Sequence, residues 1–292
     1  MKNFVIVLAI LLLFTTSCGS SDIHSQSIGL EGVGNARELG GYPAQDGKSV
    51  KHGVLLRTAE LSGATSSDIL RLQNVYHLAV IADFRMSMEV AQHPDPAIQG
   101  AKNLHLKIMD EAALMNDLTS QDLEALRNGD KVGMLILAVK KGVVGEHMYI
   151  DFLAGEQGKI GYSAMFRELI ELPEGRAFLF HCTQGKDRTG CAAMLILAAL
   201  GVDENTILAD FALTNQFNAE LIKAQRKILT ERGYSGEELD KIMKALDEVD
   251  PQYLLNAINW LKQNYGSIVG YISQELGVTH DELDALKAKF LE

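Results

Sequence analysis

Between residues 179 and 194 the chain reads LFHCTQGKDRTGCAAM, which places Cys182, Lys186, Asp187 and Arg188 in one short loop between apolar flanks. A thiolate is a strong nucleophile, and a guanidinium can grip an anion through two parallel hydrogen bonds. Five residues separate Cys182 from Arg188. That spacing lets the loop curl round a phosphate with the backbone N–H groups of residues 183 to 188 turned inward. Thr183, Gln184, Gly185 and Lys186 would form this cradle, Gly185 permitting its tight backbone, while Thr189 sets a hydroxyl close to the sulfur. The chemistry such a loop can perform is attack by Cys182 on a phosphate ester, with the same donors stabilising the thiolate. A nucleotide-binding G-x-x-x-x-G-K-[ST] loop is excluded, because Asp187 follows Lys186 and a required glycine is missing. The plain alternative is a buried thiol beside a solvated turn.

The flanks must position this loop. Ala177 to Phe180 is a continuous apolar run, as in a strand buried on both faces. Cys191 to Leu200 is apolar almost all round, a buried helix closed by Gly201. The loop therefore empties onto a helix amino end, where unpaired N–H groups and the dipole favour anions. Elsewhere, Thr65 to Asp68 signals a helix start with residues 66 to 76 helical, and Leu78 to Phe84 is a second buried strand. Residues 102 to 108 form another strand. Glycine pairs between Gly32 and Thr58 predict hairpins at a sheet edge. Residues 119 to 172 read as helical pieces broken at Gly129, Gly142, Gly145 and Gly158, an insertion placed to cover the site. Beyond Gly201 the pattern is all helix, with caps at Asp203, Ser235-x-x-Glu238, Asp250-Pro251 and Thr279-x-x-Glu282. Strands alternating with helices imply an α/β fold with a mainly parallel sheet.

His181-Cys182 and Arg188-Thr189-Gly190 complete the pattern H-C-x5-R-[ST]-G, and the chain here resembles the cysteine-dependent phosphatases. The form G-K-D-R-T-G is more narrowly similar to the bacterial tyrosine phosphatases, some of which also act on phosphoinositides. Asn35-Ala36-Arg37-Glu38-Leu39-Gly40-Gly41, the Asp83-Phe84-Arg85 strand end followed by Glu89, and Asp210-Phe211-Ala212-Leu213-Thr214-Asn215 resemble further segments of that family. Tyr265 to Ile272 resembles its carboxyl-terminal segment. The resemblance implies a phosphotyrosine-phosphatase-like sheet flanked by helices, a phosphocysteine intermediate and no cofactor or metal. It implies a phosphorylated protein or phosphoinositide as partner, with Lys186 a second cation for multiply phosphorylated head groups. Two aspartates compete as general acid. Asp187 lies in the loop itself and is favoured by the family's G-K-D-R form; Asp83 could approach from the side or pair with Arg85. Arg37 is read as structural. A rhodanese-like sulfurtransferase and a non-catalytic phosphate-binding module are the alternatives.

The 292 residues are 47% hydrophobic, and the net charge of −11 gives no basic face for nucleic acid or membrane. Met1-Lys2-Asn3 precedes an apolar run from Phe4 to Phe14, which as a helix rises only about 17 Å, too short to cross a membrane. The run and the small residues after it read as a secretory signal over residues 1–17, ending at Cys18 as in a bacterial lipoprotein, though Thr15 departs from the usual leucine. Lipidated Cys18 would then anchor an exported protein, with residues 18–27 a polar tether and 28–292 the catalytic domain, its helical part spanning 203–292. Cys182 and Cys191 remain, one nucleophile and one packed thiol rather than a disulfide framework.

Overall fold

The structure, a computed structural model, describes residues 26–112, Thr119, Gly133, Ile136, Val139 and 144–292. The proposed signal and Cys18 lie outside these residues, as do Gly129 and Gly142. Five strands form one sheet: β1 (Arg37–Glu38), β2 (Leu55–Thr58), β3 (Leu78–Asp83), β4 (Lys102–His105) and β5 (Ala177–His181). Their order is β1-β2-β5-β3-β4. Only β1 is antiparallel, the edge hairpin that the glycine pairs predicted.

Strand β5 lies at the centre and every one of its residues is buried, as its unbroken apolar run requires. Side chains alternate across it. Phe178 and Phe180 join Leu55, Val80 and Ala82 in the larger core, while Ala177 and Leu179 face Leu56, Ile81 and Leu72 on the other side. Leu78 falls on the same side as Ile81, because a register shift between Leu78 and Val80 interrupts the pleat.

Eleven α-helices accompany the sheet among the described residues. Helix α1 (Ser66–Asn74) starts at a complete capping box between Thr65 and Asp68, and α2 (Ser87–Gln92) follows β3. Helices α3 (Met148–Ala154) and α4 (Glu156–Glu171) precede β5, and α5 (Asp187–Ala199) follows it. Helix α5 lies within the larger core and ends as predicted, with Gly201 at φ +81°. Then come α6 (Glu204–Phe217), α7 (Ala219–Glu231), α8 (Gly236–Leu246), α9 (Pro251–Tyr265), α10 (Ile268–Gln274) and α11 (His280–Phe290). Asp203, Asp250 and Thr279 cap their helices through their side chains, whereas Ser235 stands at the α8 start without a side-chain cap bond. Tyr265 and Tyr271 stack edge to face at 5.2 Å, a packing role as expected. No helix of the described residues is long and apolar enough to cross a membrane.

Two readings need correction. The polar tether does not reach Ser27: Gln26 is buried with its side-chain amide 3.0 Å from the Tyr42 hydroxyl, and Ser27 bridges to Arg37. Gly158 does not break a helix but lies inside α4, where its missing side chain admits the backbone of α3. A Cβ there would fall 1.8 Å from the Phe152 carbonyl oxygen. Gly158→Ala should therefore destabilise the protein by about 1–3 kcal/mol, with a measurable fall in Tm. Gly145→Ala, with nothing within 4 Å of its Cβ, should leave Tm nearly unchanged. Equal melting of the two variants would refute the packing argument.

Candidate active site

The loop from Cys182 to Lys186 joins the end of β5 to α5, which begins at Asp187 rather than at Cys191. Apolar content marked only the buried turns of that helix; Asp187 and Arg188 occupy its first turn. Cys182 is 2% exposed and is a free thiol, as is Cys191 behind it. Burial pushes the Cys191 thiol up, with the Asp187 charge adding to it, which fits a packed group.

Three loop carbonyls are turned outward and bonded. Thr183 O accepts from Glu60 N at 3.1 Å. Gln184 O accepts from Asn35 Nδ2 at 3.1 Å, and Gly185 O from Asn35 Nδ2 and an Arg57 guanidinium nitrogen, each at 2.8 Å. In a trans peptide the C=O and the following N–H point oppositely, so the N–H groups of Gln184, Gly185 and Lys186 face the inner side of the loop. Gly185 is indispensable to this path. Its φ is +66°, and a Cβ would lie 2.3 Å from the Thr58 carbonyl oxygen.

The donors are themselves held by a buried network. Asp210, on α6, takes Arg37 Nε on Oδ1 at 3.0 Å and Arg57 on Oδ2, while the Tyr42 hydroxyl donates to Oδ1 at 3.1 Å. Arg37 also bonds Thr214 at 3.2 Å and the side-chain oxygen of Asn35. Arg37 is thus structural, as read. Burial raises the Asp210 carboxyl, but the Arg37 and Arg57 charges outweigh it and hold it below the ordinary carboxylate range.

Arg188 is gripped by Glu89, a residue the sequence reading noted but gave no role. The guanidinium meets the carboxylate in two bonds of 2.6 and 2.9 Å, and Thr183 Oγ1 donates to the same carboxylate at 2.5 Å. Burial raises the Glu89 carboxyl, yet the Arg188 charge and hydrogen bonds bring it down to about 2. Asp187 accepts a 2.5 Å bond from the hydroxyl of Tyr149, another residue missed, because 38 positions separate the partners. Burial and the Asp187 charge raise the Tyr149 phenol, so it stays a donor.

Lys186 is placed otherwise than expected. Its side chain is 3% exposed, and its ammonium lies 3.7 Å from Asp187 and donates to the carbonyls of Ala245 and Glu248 at 3.1 Å each. Thr189 is fully buried on α5. Asp83 is also committed: both its oxygens bond Arg85, at 2.7 to 3.1 Å, and it is 2% exposed. The pairing with Arg85, one of the two roles open to it, is what the geometry displays. Asp83, Asp95 and His181 bring ligand-type atoms within 4.8 Å of one another. Arg85 already bonds both aspartates, Asp95 at 2.9 Å, and so supplies the positive charge a metal would bring.

Removing the charge of Glu89 should loosen Arg188. Glu89→Gln should lower kcat/KM on the order of ten- to a hundredfold, the cost of a misplaced binding group. Because folding depresses this carboxyl, its stabilisation is present above the unfolded value of 4.5 and is lost as pH falls toward 2. Denaturation at pH 7 should therefore separate wild type from Glu89→Gln, and the gap should close between pH 4.5 and 2. A gap independent of pH would refute the ion-pair account.

Comparison with known proteins agrees with this geometry. A protein of Cupriavidus necator named as a tyrosine-protein phosphatase is 30% identical over 249 residues, 84% of this chain and 82% of its own length. The triple specificity protein phosphatase PtpB of Mycobacterium tuberculosis is 25% identical over 282 residues, 90% of this chain and 98% of its own. A tyrosine-protein phosphatase of Nostoc commune is 26% identical over 254 residues, 85% and 77% of the two chains. The family model described as the tyrosine phosphatase family matches residues 28–292, which hold the loop, all five strands and the helices from α1 to α11. This leaves the sulfurtransferase alternative without support, and the chain belongs to the tyrosine phosphatase family.

Proposed function

We propose that the protein hydrolyses phosphotyrosine through a phosphocysteine intermediate. The observation that carries this reading is the loop whose carbonyls are fastened outward on Glu60, Asn35 and Arg57, leaving consecutive N–H groups for phosphate oxygens. Cys182 Sγ attacks phosphorus, an S–P bond forms, and the P–O ester bond breaks. Tyrosinate needs a proton, its oxygen having a pKa of about 10 in water, and Asp187 supplies it. Water then attacks phosphorus with Asp187 taking its proton, the S–P bond breaks, and phosphate leaves. Arg188 and the loop amides hold the charge of the transferring group, where preorganisation contributes most. The triple specificity in the mycobacterial relative's name supports a range wider than phosphotyrosine, in which phosphoserine and phosphothreonine are the further substrates of this proposal. Phosphoinositides lose the support that Lys186 was expected to give, since its ammonium is engaged by two carbonyls.

Hydrolysis of p-nitrophenyl phosphate, insensitive to chelator, is the primary test. Cys182→Ser should leave less than about one per cent of the wild-type rate while still binding phosphate. With a poor leaving group, Asp187→Asn should lose the basic limb of the kcat profile and fall steeply in rate. A wild-type profile for Asp187→Asn would remove it as the acid, and substantial turnover by Cys182→Ser would overturn covalent catalysis.

We propose further that Cys18 carries a lipid that anchors the exported protein on a bacterial membrane. The apolar run ending in small residues before Cys18 supports this. In the producing bacterium, Cys18→Ala should move the protein from the membrane to the soluble fraction without loss of phosphatase activity. Unchanged fractionation and an unchanged mass of the mature terminus would sink the anchor.

A further inference from the structure

Tyr149 and Asp187 lie 38 positions apart, on α3 and in the first turn of α5, and meet through one short hydrogen bond. Tyr149 is 2% exposed. Its ring is packed by three others: edge to face on Phe152 at 6.3 Å and on Phe211 of α6 at 5.6 Å, and tilted against Tyr253 of α9 at 6.4 Å. The hydroxyl at the end of that ring donates to Asp187 Oδ1 at 2.5 Å. After burial and the Asp187 charge and bond, the charges of Cys191 and Cys182 raise the phenol further, so the hydroxyl stands within the field of the proposed nucleophile.

The two oxygens of Asp187 are not equivalent. Oδ1 takes the Tyr149 hydroxyl and lies 3.7 Å from the Lys186 ammonium. Oδ2 takes no hydrogen bond from the described residues, and it is not sealed from solvent, the side chain being 19% exposed. A carboxyl that gives up a proton and later takes one back can use either oxygen, unless its surroundings choose between them. Here they choose. A phenol held well above its ordinary value keeps its proton at neutral pH and fills Oδ1 as a donor, with an ammonium beside it. The acid's own proton is thereby left to Oδ2. The same bond restrains rotation of the carboxyl, because the ring that makes it is packed on several helices.

We propose that Tyr149 is the positioning residue of the general acid, fastening Asp187 by Oδ1 so that Oδ2 alone exchanges the proton. In the first step the Oδ2 proton passes to the leaving oxygen as the P–O bond breaks and the S–P bond forms. In the second, Oδ2 takes a proton from the attacking water as the new O–P bond forms and the S–P bond breaks. The proposal rests on the reading of Asp187 as the acid of a phosphatase, and the experiment separates the two. It compares kcat/KM, which reports formation of the phosphocysteine, on phenyl phosphate and on 2,4-dinitrophenyl phosphate. Phenolate, with a pKa of about 10 like that of tyrosine, needs the proton, whereas dinitrophenolate is a far weaker base and leaves without it. Asp187→Asn should lose about 10²- to 10⁴-fold more on the phenyl ester than on the dinitrophenyl ester, the range of general acid catalysis. Tyr149→Phe keeps the packed ring and should lose about tenfold more on the phenyl ester, the scale of one hydrogen bond to a charged group. Added to Asp187→Asn, it should bring no further selectivity, since the hydroxyl acts through the carboxyl. Tyr162→Phe is the control for a structural hydroxyl: that group is buried and donates to the Arg188 carbonyl at 3.0 Å, and its variant should keep the wild-type ratio of the two rates. Equal losses on the two esters in Tyr149→Phe, no loss on either, or a selectivity that persists undiminished beside Asp187→Asn, would overturn the positioning role while leaving Asp187 as the acid. A wild-type ratio in Asp187→Asn would overturn the acid assignment and the role of Tyr149 with it. Failure of the unmutated protein to turn over either ester would overturn the phosphatase reading on which both stand.

Discussion

One carboxylate, Asp210, carries the arrangement on which the site depends. A loop that is to surround a phosphate with N–H groups must turn its carbonyls outward into protein, where each needs a donor. Asn35 and Arg57 supply those donors, and both are held by Asp210, Arg57 directly and Asn35 through Arg37. All three charged groups are at most 1% exposed. Burying them costs several kcal/mol per ion, and their mutual attraction roughly offsets it rather than adding much stability. What the network provides is position. Two guanidiniums against one carboxylate also leave a net positive charge behind the loop, so the protein can be strongly acidic overall and still hold an anion locally.

A second buried network does the same for the strand ends. Arg85 joins Asp83 and Asp95, and also Glu60, whose backbone N–H holds Thr183 O. Asp95 in turn meets His181 Nε2 at 2.9 Å, beside Cys182. Burial raises the Asp95 carboxyl, but His181 and Arg85 prevail and keep it low. His181, the residue before Cys182, is tied to the end of β3 by a 2.9 Å bond from the Phe84 N–H to its carbonyl, and its ring lies against Asp95 in the segment following α2. The two networks approach the loop from opposite neighbours of β5 in the sheet, β2 through Arg57 and β3 through Asp83. A central strand with parallel partners on both sides makes that possible.

The loop was legible because its residues are contiguous: Cys182, the outward-bonded carbonyls and Arg188 fall within seven positions, between two apolar runs of unmistakable type. Strand β5, helix α5 and most caps were legible for the same reason, each being a local pattern. The supports were not. Arg37 and Asp210 lie 173 positions apart, and Glu89 and Arg188 lie 99 apart, so no spacing rule joins them. Gly158 misled because a glycine that breaks a helix and one that lets another backbone approach look alike in sequence. Lys186 misled for a different reason. A cation in a phosphate-binding loop invites assignment to the ligand, and only the tertiary fold reveals two carbonyls of the α8 end waiting for it.

That last case applies along the whole loop. Thr183 is bonded to Glu89, Gln184 to Asp247, Lys186 to the carbonyls of Ala245 and Glu248, and Asp187 to Tyr149. These four side chains fasten the loop to three elements: α2, the end of α8 with the turn after it, and α3. The α8 turn is in turn tied to α6, where Asn215 exchanges two hydrogen bonds with the Val249 backbone, at 2.7 and 2.9 Å. Burial raises the Asp247 carboxyl, against the Gln184 bond and the Lys186 charge. The backbone is left to recognise phosphate, which any phosphate monoester presents alike. Discrimination between substrates must then come from surfaces outside the loop. The same side chains that hold the cradle rigid are what connect it to the helices forming those surfaces.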